Sequence, residues 1–260
     1  MHLEDFNGPP GEALVRSARA LVYLAATTIP ASNLATPWLE VSENVAPALA
    51  TFSRLAELNP ALRIVLTSSA GTVYGPGHTA PTPEDAPLRP LSPYGLGKVM
   101  IEQALGYVAR RSGCDHAILR IANPVGRWHS ARGQGLIEAA LRKCQAGEPL
   151  LIYGDGAAVR DFFDADDLAE ALLGAATAEG PVGEVLNVGS GRGTSVRQVC
   201  DMVAAEVGRP LRIQAQPARP WELAYAVPDP ARIAARLGWT ASTPLDQTVA
   251  KVAAAFRDRA

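Results

Sequence analysis

Short apolar runs alternate with helical patterns from residue 20 to residue 122, and this order constrains the fold more than any other feature. The apolar runs at 20–26, 62–67 and 116–122 predict buried strands, whereas 38–58 and 94–112 carry apolar residues mostly at helical spacing. Strands and helices that alternate in this way form a parallel sheet with crossover helices. The sequence therefore predicts an α/β fold.

The pattern changes after residue 125. A polar, glycine-containing loop at 126–135 leads into a predicted helix at 136–146, a short strand at 150–153 and a later strand at 184–188. Residues 1–125 are therefore expected to form one sheet domain. Residues 126–260 are expected to form mainly a smaller lobe, with some segments returning to the sheet.

Composition excludes several classes of partner. The 260 residues carry a net charge of −2, so no basic field favours nucleic acid. No apolar run approaches the roughly 20 residues that a bilayer span needs, so no membrane partner is expected. The three cysteines, at 114, 144 and 200, lack metal-ligand spacing. They fit buried free thiols in a reducing cytoplasm, and no metal site is predicted.

A tyrosine and a lysine stand four residues apart at the start of a predicted helix. This spacing places the side chains of Tyr94 and Lys98 on one helix face. An ammonium group beside a phenol favours the phenolate, so the pKa of the tyrosine is expected to fall toward neutral pH. Tyr94 is therefore a candidate general base, with Lys98 as its activator.

The surrounding residues make this pair more specific. The apolar run that ends at Leu66 continues into Thr67-Ser68-Ser69, as a buried strand does when it opens into a site, and Ser92-Pro93 precedes Tyr94. With these residues the sequence resembles the extended short-chain dehydrogenase/reductase superfamily, in its NAD-dependent nucleotide-sugar epimerase/dehydratase branch, which includes UDP-glucose 4-epimerases. The resemblance implies a Rossmann-type NAD-binding domain over 1–125 and a substrate-binding lobe over 126–260.

The N-terminal region departs from the family pattern. Family members carry a glycine-rich phosphate loop after their first strand, and no Gly-x-Gly-x-x-Gly occurs in this sequence. The nearest pattern, at 189–193, follows the Tyr-Lys pair instead of preceding it. The segment Leu24-Ala25-Ala26 resembles the end of the family's fourth strand, so the Rossmann sheet is expected to lack its first strands. A wrongly chosen start, a fragment and a true loss each explain this pattern.

Positions that match the family imply a set of cofactor contacts. The resemblance assigns NAD to this set, without excluding NADP, because the residue that discriminates between them belongs to the absent part. The implied cofactor-binding residues are Ala25, Ala26, Asn44, Ser68, Tyr94, Lys98 and Pro124.

The catalytic hydroxyl of the family is a second departure from the family pattern. In the family, the catalytic serine or threonine stands three residues before the valine of a Val-Tyr-Gly segment. In this sequence that segment is Val73-Tyr74-Gly75, so the corresponding residue is Ala70. Thr72 or Ser69 would supply the hydroxyl instead, and Thr72 is favoured because alternate residues of an extended segment face the same side. Gly71 and Thr72 occupy positions where family dehydratases carry Asp-Glu. Without these carboxylates, epimerisation or keto reduction is favoured over dehydration.

The resemblance also implies residues that bind a nucleotide-diphosphate sugar. They are Asn123, Arg160, Arg219 and Glu222. Arg160 lies in Val-Arg-Asp-Phe, which is similar to the family's Val-Arg-Asp-Tyr, and its guanidinium fork suits a diphosphate.

The implied function is NAD-dependent epimerisation of a nucleotide-diphosphate sugar through a transient keto-sugar. Two alternatives stay open: a non-catalytic or NAD-deficient remnant of this fold, and a reductase of small carbonyl compounds. The resemblance further implies a homodimer formed through the helices that carry Asn44 and Tyr94.

Overall fold

A computed structural model describes residues 9–128 and 135–258. The first part contains α1 (Pro9–Ser17), β1 (Ala20–Tyr23), α2 (Trp38–Glu40), a π-helical segment (Val41–Val45), α3 (Ala46–Leu58), β2 (Arg63–Ser69), α4 (Ala70–Val73), α5 (Pro93–Ser112), β3 (His116–Ile121) and β4 (Asn123–Val125). The second part contains α6 (Leu136–Ala146), β5 (Leu150–Tyr153), β6 (Val159–Arg160), β7 (Phe162–Asp164), α7 (Ala165–Thr177), β8 (Glu184–Val188), β9 (Thr194–Ser195), α8 (Val196–Val207), β10 (Ile213–Gln216), β11 (Tyr225–Ala226), α9 (Ala231–Leu237) and α10 (Leu245–Arg257).

A four-stranded parallel sheet lies at the centre, in the order β1-β2-β3-β8. Both of its faces are covered. Leu66 packs with residues of α3 and α5 on one face, whereas Val65 and Leu119 pack with α7 and α9 on the other. Burial on both faces explains the continuous apolar runs of these strands. The predicted α/β fold with a Rossmann-type parallel sheet is confirmed.

The predicted helix at 38–58 contains a π-helical segment. The amide of Ala46 donates to the carbonyl of Val41, five residues earlier. Pro47 follows at the start of α3 and has no N–H to donate. A π turn accommodates such a break without ending the helix.

The second half of the chain forms a separate apolar cluster and also adds one strand to the central sheet. Helices α6, α8 and α10 pack around β5 in a separate apolar cluster. By contrast, β8 pairs with β3 and so extends the central sheet. In the part of the chain that the structure describes, no helix is long and apolar enough to cross a membrane.

Candidate active site

The predicted Tyr-Lys pair lies beside the end of β2. Ser92 caps α5 by accepting a hydrogen bond from Gly95, and Tyr94 and Lys98 follow on the first turns of that helix. The Lys98 Nζ lies 5.5 Å from the centroid of the Tyr94 ring and donates to the carbonyl of Thr67 at 3.1 Å. The structure therefore brings the two side chains together at the carboxyl end of a central parallel strand, where this class of sheet binds ligands.

The two candidate hydroxyls, those of Ser69 and Thr72, are placed differently. A hydrogen-bonding interaction with the Ser69 side chain lowers the pKa of Tyr94, which burial raises. Thr72 instead directs its hydroxyl to the carbonyl of Ser69, at 3.5 Å. The preference for Thr72 assumed an extended segment, but Ala70–Val73 forms a helical turn. The alternation of strand side chains therefore ends at Ser69, so the reason for preferring Thr72 does not apply, and the identity of the catalytic hydroxyl stays a prediction.

The ionisation of the pair also differs from the expectation. Burial raises the pKa of Tyr94 to about 12, the carboxylate of Glu40 adds to the rise, and the hydrogen bond with Ser69 opposes it. Burial lowers the pKa of Lys98, whereas Glu40 and Glu102 favour its ammonium form. In this structure Lys98 does not bring the pKa of Tyr94 toward neutral, so the tyrosine holds its proton as a phenol.

Asn44 organises the loop that follows β1. Its side-chain oxygen accepts hydrogen bonds from the amide and hydroxyl of Thr27, at 2.9 and 3.2 Å. Its amide nitrogen donates to the Thr28 hydroxyl at 3.3 Å, and that hydroxyl donates to Glu40 at 3.1 Å. Asn44 thus supports the strand end, with Ala25 and Ala26 exposed on the same loop.

Sequence reasoning missed Glu40. This residue is only 3% exposed and stands four positions before Asn44 on the same helix. Its spacing from Asn44 was the available signal, because residues four apart share a helix face.

Ser68 points away from Tyr94 into a buried polar network. Its hydroxyl donates to Glu102, which also accepts hydrogen bonds from Arg120, the shortest at 2.7 Å. Arg120 continues to the Tyr74 hydroxyl at 3.1 Å, and Tyr74 donates to Asn187 at 2.6 Å. We call Ser68, Glu102, Arg120, Tyr74 and Asn187 the buried network. The cofactor contact predicted for Ser68 stays a prediction.

Asn123 and Pro124 lie together on β4, which pairs with β7. Asn123 is partly exposed, and both its backbone and side-chain amides donate to the carbonyl of Asp161, at 2.9 and 3.3 Å. Pro124 is partly exposed beside it.

Of the other predicted substrate residues, Glu222 lines a pocket, and Arg160 and Arg219 each contact a residue of its wall. Arg160 lies 3.7 Å from Glu222, and burial lowers the pKa of its guanidinium while Glu222 opposes that change. Glu222 and Tyr153 line a pocket of about 240 Å³. The Arg219 guanidinium stacks over the Tyr153 ring, 3.4 Å from its centroid. Two arginines and an exposed aromatic ring suit an anionic ligand with a flat group.

A second pocket, of about 330 Å³, lies elsewhere. Arg127, Asp164 and Lys251 are among the residues that line it. None of the predicted site residues contributes to its wall.

A doubly covered parallel sheet, with a tyrosine, a lysine and a serine clustered at the end of one strand, defines a Rossmann-type short-chain dehydrogenase/reductase. Residues 12–189 match the NAD dependent epimerase/dehydratase family, and the chain belongs to that family of NAD-dependent enzymes.

Two curated relatives illustrate the similarity. The chain is 32% identical to a UDP-glucose 4-epimerase of Mycolicibacterium smegmatis over 92% of its own length and 76% of the relative's. It is 37% identical over 147 residues to a putative UDP-glucose 4-epimerase of Methanocaldococcus jannaschii, a match that spans 56% of this chain and 47% of that protein.

Solved structures show the same fold. A Thermotoga maritima UDP-glucose 4-epimerase with UDP-glucose superposes with a TM-score of 0.89 at 26% identity, over all of this chain and 84% of that one. A Thermus thermophilus UDP-glucose 4-epimerase in complex with NAD gives a TM-score of 0.85 at 25% identity, over 96% and 83%.

The residues present fit one half of NAD. Among the described residues, Lys98 donates one hydrogen bond, to Thr67. An ammonium has three donors, so two stay available for ribose hydroxyls beside Tyr94. The glycine-rich turn at 189–193 is no phosphate cradle, because its amides at Ser190 and Gly191 donate to the Asp161 carboxylate at 3.1 and 2.9 Å. Lys98 therefore has donors that suit a ribose, whereas the amides of Ser190 and Gly191 are already occupied and do not suit a pyrophosphate.

Proposed function

We propose that this chain epimerises a nucleotide-diphosphate sugar by transient oxidation to a keto-sugar. The observation that carries the proposal is the cluster of Ser69, Tyr94 and Lys98 at the carboxyl end of β2. The relatives named as UDP-glucose 4-epimerases support a nucleotide sugar as the substrate class.

NAD, when bound, supplies the hydride acceptor and a positively charged ring, which favours ionisation of a phenol close to it. Once its own proton has been released to solvent, the Tyr94 phenolate takes the proton of the sugar hydroxyl as the carbon that bears this hydroxyl loses hydride to the acceptor. One O–H and one C–H bond break and a carbonyl forms. Ser69 donates a hydrogen bond to that oxygen. When hydride returns to the other face, Tyr94 gives the proton back, and the configuration is inverted without net oxidation.

The pocket formed by Tyr153 and Glu222 is proposed to hold the nucleotide. Arg160 and Arg219 bind the diphosphate, which leaves the sugar free to turn over between the two hydride transfers. Arg160 already forms an ion pair with Glu222 at 3.7 Å, so the carboxylate holds the guanidinium in place. When nucleotide binds, the same carboxylate accepts a hydrogen bond from a ribose hydroxyl.

The sequence beside Ser69 favours epimerisation over dehydration. Gly71 and Thr72 follow Ala70 in α4, so no carboxylate of this turn is available to remove water from the sugar.

The test is an interconversion assay with NAD and UDP-glucose or UDP-galactose, in which each product is separated chromatographically. An epimerase gives the same equilibrium mixture from both sugars and leaves no NADH. A reductase interconverts neither sugar but consumes NADH in stoichiometric amounts when NADH and a small carbonyl compound are supplied instead. A non-catalytic remnant shows neither reaction. Thermal shift with NAD gives an independent reading, because a ligand at 100 times its Kd stabilises the folded state by about 2.7 kcal/mol.

The proposal includes a homodimer in the cytoplasm. Helices α3 and α5 pack together and expose Leu49 and Leu96, by 38% and 47%, and α2 exposes Trp38 by 65%. A second copy would cover these side chains. The free thiols at Cys114, Cys144 and Cys200 are buried, as is usual in a reducing compartment.

The dimer is tested by sedimentation of Leu49→Arg. We expect this variant to sediment as a monomer, because a charge at the centre of an apolar contact cannot be paired. The matched control is Leu173→Arg, at an exposed leucine of α7. Dimerisation that survives Leu49→Arg would contradict the proposed contact.

A further inference from the structure

Glu40 is a buried carboxylate that its surroundings satisfy only in part. One oxygen, Oε1, accepts from the Thr28 hydroxyl at 3.1 Å. The other, Oε2, is buried and has no hydrogen-bond partner among the described residues. Leaving a carboxylate oxygen buried and unpaired costs free energy. A residue held at this cost in α2, beside the loop that follows β1, needs an explanation beyond packing.

The Glu40 side chain lies against α5 at Gly97. A Cβ atom added to Gly97 would come within 2.5 Å of Glu40 Cγ and 2.6 Å of Oε1. Gly97 stands three residues after Tyr94 and directly before Lys98, so all three positions lie on or beside one helix face. The absence of a side chain at 97 is what allows the carboxylate to lie against this part of α5, between the positions of Tyr94 and Lys98.

Both members of the pair respond to this charge. The Glu40 carboxylate raises the pKa of Tyr94, in the same direction as burial. It also raises the pKa of Lys98, against the effect of burial. A negative charge disfavours a phenolate and favours an ammonium, so one group acts on both residues in the sense that retains their protons.

We propose that Glu40 is a positioning residue, whose buried carboxylate, packed on Gly97, holds Tyr94 as a phenol and Lys98 as an ammonium. The proposal rests on the proposed epimerase function for its catalytic meaning. The carboxylate keeps Lys98 charged in a buried place and restrains Tyr94 from ionising before a positive ligand offsets the charge. Removing it makes the tyrosine ionise at lower pH.

Few other charged groups face this pair. Lys98 and Glu102 lie on α5, and Glu102 is paired with Arg120 of β3 at 2.7 Å. From β2 and the loop after β1 the neighbours are neutral, namely the Thr67 carbonyl and the side chains of Ser69, Thr28 and Asn44. Glu40 is therefore the charge to change, because Glu102 already has a partner.

The test places fluorotyrosine at position 94 alone and follows its titration by fluorine NMR, with no sugar or NAD present. The fluorine lowers the phenol pKa into a range where the protein stays folded, and the signal reports only this residue. The variants are Glu40→Gln and Glu40→Ala, and the matched control is Glu43→Gln, an exposed glutamate of the same helix. Circular dichroism verifies that each variant is folded, and Glu40→Ala, which buries no polar atom, serves where Gln does not fold.

We expect the midpoint to fall by about one pH unit or more in the neutral Glu40 variants and to stay unchanged in Glu43→Gln. An unchanged midpoint in a folded Glu40 variant would overturn the proposal. An equal shift in Glu43→Gln would also overturn it, because the effect would then come from net charge.

A pH profile separates this inference from the proposed function. In an active protein, the rise of kcat/KM with pH is expected to move to lower pH in Glu40→Gln. If epimerase activity is absent from every variant but the fluorine midpoint shifts, the function fails and the role of Glu40 stands. If activity is present and neither the midpoint nor the profile moves, the role of Glu40 fails and the function stands.

Discussion

Two clusters of buried polar side chains lie one helical turn apart along α5, and they differ in how completely their atoms are paired. Lys98 belongs to the Tyr94 cluster, and Glu102 belongs to the buried network. In the network, both oxygens of Glu102 accept hydrogen bonds from Arg120, and the Arg120 fork continues to Tyr74 and to the Glu84 carbonyl at 2.9 Å. In the Tyr94 cluster, one oxygen of Glu40 has no partner among the described residues.

The difference separates two uses of buried charge. Burial opposes the Arg120 charge, but the hydrogen bonds and the charge of Glu102 outweigh it, and the pKa of Arg120 is raised. Such a network joins α5 to β2 and β3 and fixes their positions. Within the described ranges 9–128 and 135–258, the Tyr94 cluster keeps donors of Lys98 and one oxygen of Glu40 without hydrogen-bond partners, as a site that exchanges protons with a ligand requires.

The largest effect is expected for Tyr94→Phe, which tests whether the Tyr94 cluster is the catalytic one. We expect kcat/KM to fall by about 10²- to 10⁴-fold, because the group that transfers the proton is lost. Stability should change by about 1 kcal/mol, the usual value of one hydrogen bond. Epimerase assays and urea unfolding measure the two effects. Turnover equal to that of the wild type would remove Tyr94 from the mechanism.

Glu102→Ala tests the other cluster. It leaves the Arg120 charge buried without its carboxylate, and breaking a buried ion pair costs about 3–5 kcal/mol of unfolding free energy. The control is Glu57→Ala, which removes the exposed partner of Arg54 and should cost less than about 1 kcal/mol. Equal urea midpoints for the two variants would mean that the network does not hold the sheet and helix together.

Ser68 and Ser69 are neighbours on β2 that serve different clusters, and they sharpen the comparison. Ser69→Ala removes the hydroxyl beside Tyr94, and we expect activity to fall by about 10²-fold. Ser68→Ala removes a donor to Glu102 and should cost about 1–3 kcal/mol in stability. Thr72→Val should reduce activity less than Ser69→Ala does. A larger loss in Thr72→Val would return the catalytic hydroxyl to that residue.

The smallest expected effect is on stability at alkaline pH. The pKa of Tyr94 is about 12 in the folded chain, against an ordinary value of 10.0. A raised folded-state pKa contributes stability that is fully present below pH 10 and is lost as the pH rises through 12. Urea midpoints of the wild type should therefore fall more steeply over this interval than those of Tyr94→Phe. Parallel curves would show that the phenol is not held in its protonated form.

Much of the fold and part of the site follow from local sequence. The strands at β2, β3 and β8 and the helix of Tyr94 could be predicted, because apolar periodicity and the Ser-Pro cap act within a few residues. The predicted strand at 20–26 is shorter, since β1 ends at Tyr23 and Leu24 is 63% exposed. The apolar character of a residue does not reveal whether another part of the chain will pack against it.

The remainder of the site depends on contacts between distant residues. Ser69 could not be distinguished from Thr72, because the choice depends on whether the chain turns helical at Ala70. The role of Glu40 depends on Gly97, 57 positions further along the sequence. The Tyr-Lys spacing alone predicted a lowered pKa for Tyr94. Burial and the charge of Glu40 raise this pKa instead.

The π-helical segment at Val41–Val45 determines how the residues before it are rotated about the helix axis relative to those of α3. A π turn holds one residue more than an α turn, so converting this segment into a regular α-helix with all its residues kept would rotate everything before it, Glu40 included, by about 100° relative to α3. The carboxylate would leave Gly97, although no residue of the site itself had been replaced.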